Sequence, residues 1–509
     1  MKYPIGIQTF ETIIEDNYLY VDKTKSLYDL ISQGKVYFLS RPRRFGKSLF
    51  ISTLSAFFEG KKQLFKGLYI EDKVEKWETY PVIHIAMSDM SLRSDKLQVS
   101  LLDMLNRIAR QYGITLVSEG IGERFKELIE TLSQRQKVVV LIDEYDKALI
   151  NFIDETDIFE ENRKILKSFY GVLKDCDKYL KFLFITGVSR FSKVSLFSDL
   201  NNLVDISMKP NYCDICGYTQ ADMQKYFDTR IAEIAENENI TKEEMYEKIR
   251  QKYNGYNFNG KIKMYNPWSV LNFMQDGELI NYWFETGTPY FLAKMASRFE
   301  TNVEGAISSR MELGHLRFDD ENLSTLLYQT GYLTIDEKLD VELFRLKHPN
   351  QEVSESFRWF LLSEFTRKGA GEMQYASRFI REALLLKDAE RLKNTLNPFF
   401  AKIPYQIFIK DKEAYYHSIL HLIFMLLRYQ IDSEVVTNAG RIDSVIDNLN
   451  EIWIFECKLD ETAEKAYQQI IEKKYAEQYK NTGKQIWGFG VNFNSEQKQV
   501  NEVVIRQII

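Results

Sequence analysis

Four short runs of aliphatic and aromatic residues constrain this chain more than any other feature. Val36–Leu39, Val82–Ala86, Val138–Ile142 and Phe182–Thr186 are each four or five residues long, too short for helices and apolar enough for buried strands. Amphipathic stretches such as Lys96–Tyr112 and Glu160–Cys176 lie between them and have helical spacing. Strand–helix alternation predicts an α/β fold, with a parallel sheet flanked by helices.

At 509 residues the chain is too long for one core, so two to four domains of roughly 100–200 residues each are expected. It is 45% hydrophobic and 28% charged, with 9 prolines, a globular composition without a disordered tail. A net charge of -6 excludes a coat of basic charge but not a local basic groove. Four cysteines in this length do not make a disulfide framework. The residues after Met1 lack the apolar core of a signal peptide. The longest apolar stretch, near Ile419–Leu427, is interrupted by His421 and is shorter than the roughly 20 residues of a membrane span. These points predict a cytoplasmic protein with no membrane partner.

After Pro210 the texture becomes helical. Thr219–Asp222 and Thr241–Glu244 have the form of capping boxes that start helices. Lys368–Glu372 reads as a linker, and from Trp453 a strand, a long helix and a strand (Gln485–Val491) follow. The expected organisation is a sheet domain over 1–210, a helical lid over 211–370 and a small α/β domain over 371–509.

The run Ser40-Arg-Pro-Arg-Arg-Phe-Gly46-Lys47-Ser48 follows a strand and precedes a helical pattern. In that context backbone N–H groups cradle phosphates, a lysine reaches the β and γ phosphates, and a serine holds Mg2+. Gly46, Lys47 and Ser48 fit, although Arg41 stands where G-x-x-x-x-G-K-[ST] begins with glycine. Alone, the tripeptide reads equally well as a basic loop before a helix. The strand Val138–Ile142 decides between them, because it delivers Asp143 and Glu144 to the ligand-binding edge of a parallel sheet. Asp143 suits the Mg2+ shell, and Glu144 suits the orientation and deprotonation of the attacking water. At the end of the next strand, Thr186 or Ser189 could touch the γ-phosphate or water, and Arg190 could act as a charge-stabilising finger. Each is equally readable as part of a surface turn.

Ile5–Phe10, Tyr20–Thr24, Leu39–Leu49 and Leu196–Leu203 together closely resemble the bacterial AAA-ATPase-like family, whose own P-loop variant is Arg-Pro-Arg-Arg-Phe-Gly-Lys-Ser. Tyr265–Ser269 and Trp283–Gly287 extend the resemblance. It implies an ATP-binding set of Arg43, Arg44, Phe45, Gly46, Lys47, Ser48, Leu49, Asp143 and Thr186, with catalytic Glu144 and Arg190. It also implies that 5–24 wraps the adenine, with Tyr20 or Phe10 stacking on the base or simply packing.

A second centre emerges near the C-terminus. Gly440–Asp447 and Ile452–Lys458 are strand-like runs around Asn448-Leu449-Asn450, a turn-forming sequence. A turn centred on Leu449 puts Asp443 opposite Phe455 or Glu456, and Glu456 shares a strand face with Lys458. Two carboxylates and a lysine on one face suit Mg2+- or Mn2+-dependent phosphodiester hydrolysis. They also suit a cross-strand salt bridge on an exposed hairpin. Gly-Arg-Ile-Asp443 followed by Phe-Glu456-Cys-Lys458 resembles the PD-(D/E)xK nuclease family. The helix containing Ala466–Ile470, with Tyr475 after it, is similar to that family's next element, and Gln469 fits its supporting glutamine. The resemblance implies a further metal-site acid from the helix preceding the hairpin, with Glu413 and Glu434 as candidates.

Cys213 and Cys216 have metal-ligand spacing, but no matching second pair follows, so they read as two thiols ahead of a helix. His417 and His421, one turn apart in an apolar stretch, read as packing residues. The charged run 472–480 reads as a solvated helix face, with Lys473, Lys474 and Lys480 available to a DNA backbone. The resulting expectation is an ATPase whose nucleotide state gates or positions a nuclease acting on DNA, with RNA the second choice of substrate, as a monomer or an oligomer. The alternative is an ATP-driven switch with a non-cleaving C-terminal domain that binds nucleic acid or protein.

Overall fold

The apolar runs form the strands they predict. In the computed structural model they are β1 (Val36–Ser40), β2 (Val82–Ala86), β3 (Val138–Asp143) and β4 (Leu180–Gly187), and a two-residue β5 (Val204–Asp205) is added. The structure describes residues 2–153, 155–190, 196–197, 200, 202–283, 305–314, 323–366, 370–400, 416, 419–420, 423–424, 430–437, 440–448 and 450–509. The chain divides into two compact units, Met1–Phe291 with Val303–Ser354, and Leu292–Asn302 with Glu355–Ile509.

In the first unit the five strands are parallel, in the order β2-β3-β4-β1-β5. Every residue of β1 and β3 is buried, as expected of a sheet covered on both faces. The helices Lys47–Phe58, Ser94–Gln111, Ile121–Ser133 and Thr156–Asp175 supply the covers. Phe125 and Phe169 stack at 4.6 Å between two of them.

Beyond Pro210 both capping boxes close as read, at Thr219 with Asp222 and at Thr241 with Glu244. The region also holds strands that helical spacing did not suggest. A pair, β6 (Asn254–Asn257) and β7 (Lys263–Tyr265), is joined by a three-stranded antiparallel sheet of β8 (Ile307–Ser309), β9 (Thr334–Lys338) and β10 (Leu343–Lys347). In β10, Phe344 and Leu346 are buried and alternate with outward residues, a period-2 pattern too short to register against its helical surroundings.

The second unit opens on helices. Part of the expected linker, Ala370–Glu372, begins the helix Ala370–Leu386, and Lys368–Gly369 lies outside the described residues. Its sheet runs β11 (Gln430–Thr437), β12 (Gly440–Asp447), β13 (Glu451–Leu459), β14 (Gln485–Asn494) and β15 (Gln499–Gln507), in that order. All neighbours are antiparallel except β13 and β14, which are joined through the helix Ala463–Glu472. β13 buries Trp453, Phe455 and Cys457 in one core and Ile452 and Ile454 in the other. Gly488 and Gly490 on β14 admit the helix closely: a Cβ on Gly490 would lie 2.2 Å from the Ala463 carbonyl oxygen. No helix among the described residues is long and apolar enough to cross a membrane.

Candidate functional site

β4 lies between β1 and β3, so the loop after β1 and the acids after β3 meet at the carboxyl edge of the sheet, one strand apart. Gly46 has φ +93°, a left-handed conformation that glycine adopts without penalty, and it starts the helix Lys47–Phe58. Arg44, at φ +61°, helps to fold the loop back. Lys47 Nζ donates to the carbonyls of Arg41 and Pro42 at 2.9 and 2.8 Å. Burial lowers the Lys47 pKa against the opposing charges of Glu144, Asp143 and Asp146.

Arg41 explains the missing glycine. Its side chain is buried, 1% exposed, and donates to the carbonyls of Ser40, Ser207, Tyr212 and Cys213, with its guanidinium 4.1 Å from the Phe258 ring. Burial lowers its pKa to about 10. Arg41 thus pins the back of the loop instead of lining it.

The loop faces a cavity of about 540 Å³, which Arg43, Arg44, Phe45, Gly46, Lys47, Ser48, Leu49 and Glu144 all line. The opposite walls come from Ile7, Tyr20, Tyr218, Trp268 and Leu271, an apolar and aromatic surface suited to a base. Asn266 Oδ1 accepts from Trp268 N and Ser269 N, capping the helix Pro267–Asp276 that presents Trp268. Trp283 Nε1 donates to the Arg43 carbonyl at 3.1 Å. The motifs around 265–269 and at Trp283 therefore serve the loop and the cavity, while 284–287 lies outside the described residues. Phe45 lines the cavity yet is fully buried against Tyr256 and Phe258. Phe10 does not line it, and packs at 4.9 Å from Tyr20.

The acids divide by role. Asp143 Oδ1 accepts from Thr186 Oγ1 at 2.6 Å. Thr186 is fully buried and does not line the cavity, so it orients Asp143. Glu144 stands at φ +54° and pairs with Lys147 at 2.7 Å. Burial raises its pKa, but Lys147, Lys47 and Arg43 outweigh this and hold the carboxyl below the usual range. Asp146, overlooked in the sequence, lines the cavity as Glu144 does, whereas Asp143 is buried and is not among the lining residues. It accepts from Val188 N and from Ser189 N and Oγ, the nearest contact to N being 2.6 Å, which binds the turn after β4 to the turn after β3. Its signal was a third acid three residues after Asp143. Ser189 is committed to that bond. Arg190 is not brought to the cavity: it is 7% exposed, its Nε lies 3.9 Å from Asp205, and its N–H donates to Gln329.

The second centre lies on the face of β13 that carries Ile452 and Ile454. Ser444 pairs with Phe455, so the register carries Asp443 to Glu456. Asp443 Oδ2 accepts from Cys457 N at 2.8 Å. Glu456 is 2% exposed, with Lys458 Nζ 3.6 Å from its Oε1, and the same oxygen accepts from Gln469 Nε2. Tyr475 is buried beside them; burial raises its pKa, and the charges of Glu456 and Asp443 add to the rise. Position 434 lies on β11 rather than on a helix, between the pairs Ser433↔Ser444 and Val435↔Ile442, hence across from Asp443. Glu413, His417 and His421 lie outside the described residues. Cys213 and Cys216 are buried ahead of the helix Gln220–Tyr226. Lys480 pairs with Glu477 on the surface.

Residues 4–197 match the model of a predicted AAA-ATPase family, and residues 411–503 match a PD-(D/E)XK nuclease superfamily. The chain is 36% identical, over all of its length and 99% of the relative's, to an uncharacterized protein in vnfD 5'region of Azotobacter chroococcum mcd 1. No solved structure matches it.

Proposed function

Because the chain belongs to the predicted AAA-ATPase family and carries a PD-(D/E)XK nuclease superfamily domain, we propose that it hydrolyses ATP and that its nucleotide state gates a metal-dependent nuclease acting on DNA. One observation carries the nuclease half. Glu456 is held in a buried position by Gln469 and Lys458, beside an Asp443 fixed by the backbone of the next strand. An ordinary surface salt bridge has no need of that burial or of a supporting glutamine. The two carboxylates offer the oxygen ligands that Mg2+ or Mn2+ takes, with Glu413 and Glu434 both candidates for a third. A metal bound there would acidify water and neutralise a phosphate. Lys458 would position that water or stabilise charge developing on the phosphate.

In the nucleotide half, Lys47 leaves its carbonyl partners for the β and γ phosphates, and the apolar wall takes the base. Ser48 and Asp143 are the residues that would hold a Mg2+, which would neutralise phosphate charge. Glu144 receives the proton of the attacking water.

The test is cleavage of plasmid and single-stranded DNA with Mn2+ or Mg2+, with and without ATP, comparing wild type with Lys458→Ala and Lys47→Ala. Cutting lost in Lys458→Ala, and altered by ATP only when Lys47 is present, is the expected result. No cutting alongside intact ATP hydrolysis sinks the nuclease reading in favour of a nucleotide-driven binding protein. Equal cutting rates with and without ATP sink the gating.

A further inference from the structure

We propose that Arg43, from within its own chain, stabilises the transferring phosphate of ATP, and that Arg190 is a structural cation. This rests on the ATPase reading above.

The cations lining the cavity are Lys23, Arg43, Arg44, Lys47 and Lys147. Lys23 is paired with Asp222 at 2.8 Å, and Lys147 with Glu144. Arg44 lies 4.4 Å from the Trp268 ring, on the base-binding wall. Lys47 has the β/γ-phosphate role. Among the described residues, Arg43 is the lining guanidinium engaged in neither an ion pair nor a ring contact. Its backbone is nevertheless held on both sides. Lys47 binds the Pro42 carbonyl before it, Trp283 binds its own carbonyl, and Arg44 follows in a left-handed conformation. A guanidinium launched from a fixed backbone is a preorganised charge. Its field reaches Glu144, whose carboxyl it helps keep ionised, so it acts on the side of the cavity where water is activated.

Arg190 has the opposite placement. Asp205 faces its guanidinium, Gln329 holds its N–H, and it does not line the cavity. In the hydrolysis the water oxygen bonds to the γ-phosphorus while the bond to the β–γ bridging oxygen breaks. The electron pair leaves on ADP, and the water proton passes to Glu144. Charge grows on the γ and bridging oxygens, where Arg43 can meet it.

The experiment measures steady-state ATP hydrolysis, fluorescent ADP binding and the tightening of ADP by aluminium fluoride, in the full chain with Mg2+. Arg43→Ala should lower kcat by about 10³-fold, keep ADP affinity within about tenfold, and abolish the aluminium fluoride response. Arg43→Lys should fall between this variant and wild type. The proposal is overturned if Arg43→Ala weakens ADP binding and leaves kcat and the fluoride response intact. It is also overturned if wild-type specific activity rises with protein concentration, the mark of an arginine supplied by another copy. Loss of the fluoride response in Arg190→Ala at an unchanged melting temperature would overturn it too. A wild type that binds no nucleotide instead refutes the ATPase reading itself.

Discussion

Lys47 projects from a loop shaped by a left-handed Gly46, a left-handed Arg44 and the buried Arg41 behind them, and its ammonium rests on main-chain carbonyls. Lys458 stands on a regular strand, two residues from Glu456, where strand periodicity alone puts both on one face. The first centre is a concave shell around a cavity, with Glu144 presented by a strained backbone. The second is a row of side chains on a sheet, clamped by a helix. A loop can exchange partners as a ligand arrives. A strand keeps its side chains in place and depends on neighbours to tune them.

The largest test of that contrast is Lys458→Ala. With the sheet intact, cleavage should fall by about 10³-fold or more, because the charge it supplies has no substitute on the strand. Near-ultraviolet circular dichroism should remain that of wild type. Loss of the dichroism signal would mean that the lysine builds the sheet instead of serving on it.

A smaller effect separates the units by pH. Glu352 is fully buried, accepts from Ser269 Oγ and Trp283 N at 2.7 and 2.8 Å, and has its pKa raised by burial to about 7 from 4.5. The folded state keeps this proton at a pH where the unfolded chain releases it. Its contribution is therefore full below pH 4.5 and declines as pH rises to 7, by at most about 3 kcal/mol. Denaturant unfolding of wild type against Glu352→Gln should show the difference shrinking or reversing across that window in the nucleotide unit. A constant difference would place the folded pKa elsewhere.

Thr186→Val removes the hydroxyl that orients Asp143 and leaves that carboxylate short of a donor. ATP turnover should fall about thirtyfold, equivalent to about 2 kcal/mol, while DNA cleavage without ATP serves as the internal reference. An unchanged turnover would return Asp143 to the role of a passive strand end.

The glycines give the last comparison. A Cβ on Gly490 would strike the Ala463 carbonyl, whereas one on Gly46 has no atom within 4 Å and suffers only from φ +93°. Gly490→Ala should cost about 2 kcal/mol through displacement of the helix that carries Gln469. Gly46→Ala should cost about 1 kcal/mol through strain. Denaturant midpoints measure both, and a reversed order would contradict the division between loop and sheet construction.

The two centres were also unequally legible in the sequence. Asp443, Glu456 and Lys458 could be placed by counting, because register and alternation are arithmetic once a turn is found, and the pairing of Ser444 with Phe455 agrees. The parallel strands were legible for a similar reason: a strand buried on both faces leaves an uninterrupted apolar run. β8–β10 were hidden by their shortness, and β15 by charges along an edge strand. At the nucleotide site, spacing could not say which way a side chain turns. Thr186, Ser189 and Arg190 follow a strand as site residues would, yet each is taken up by a neighbour. Asp146 went unnoticed because its partners, Val188 and Ser189, are more than forty residues away in sequence.

Arg41 carries a consequence for the thermodynamics of nucleotide binding. A flexible glycine at the start of such a loop must be ordered when phosphate arrives, at a cost in entropy. Here a guanidinium bonded to four carbonyls has already fixed that end of the loop. The entropy of ADP binding should therefore carry little penalty for ordering this end of the chain.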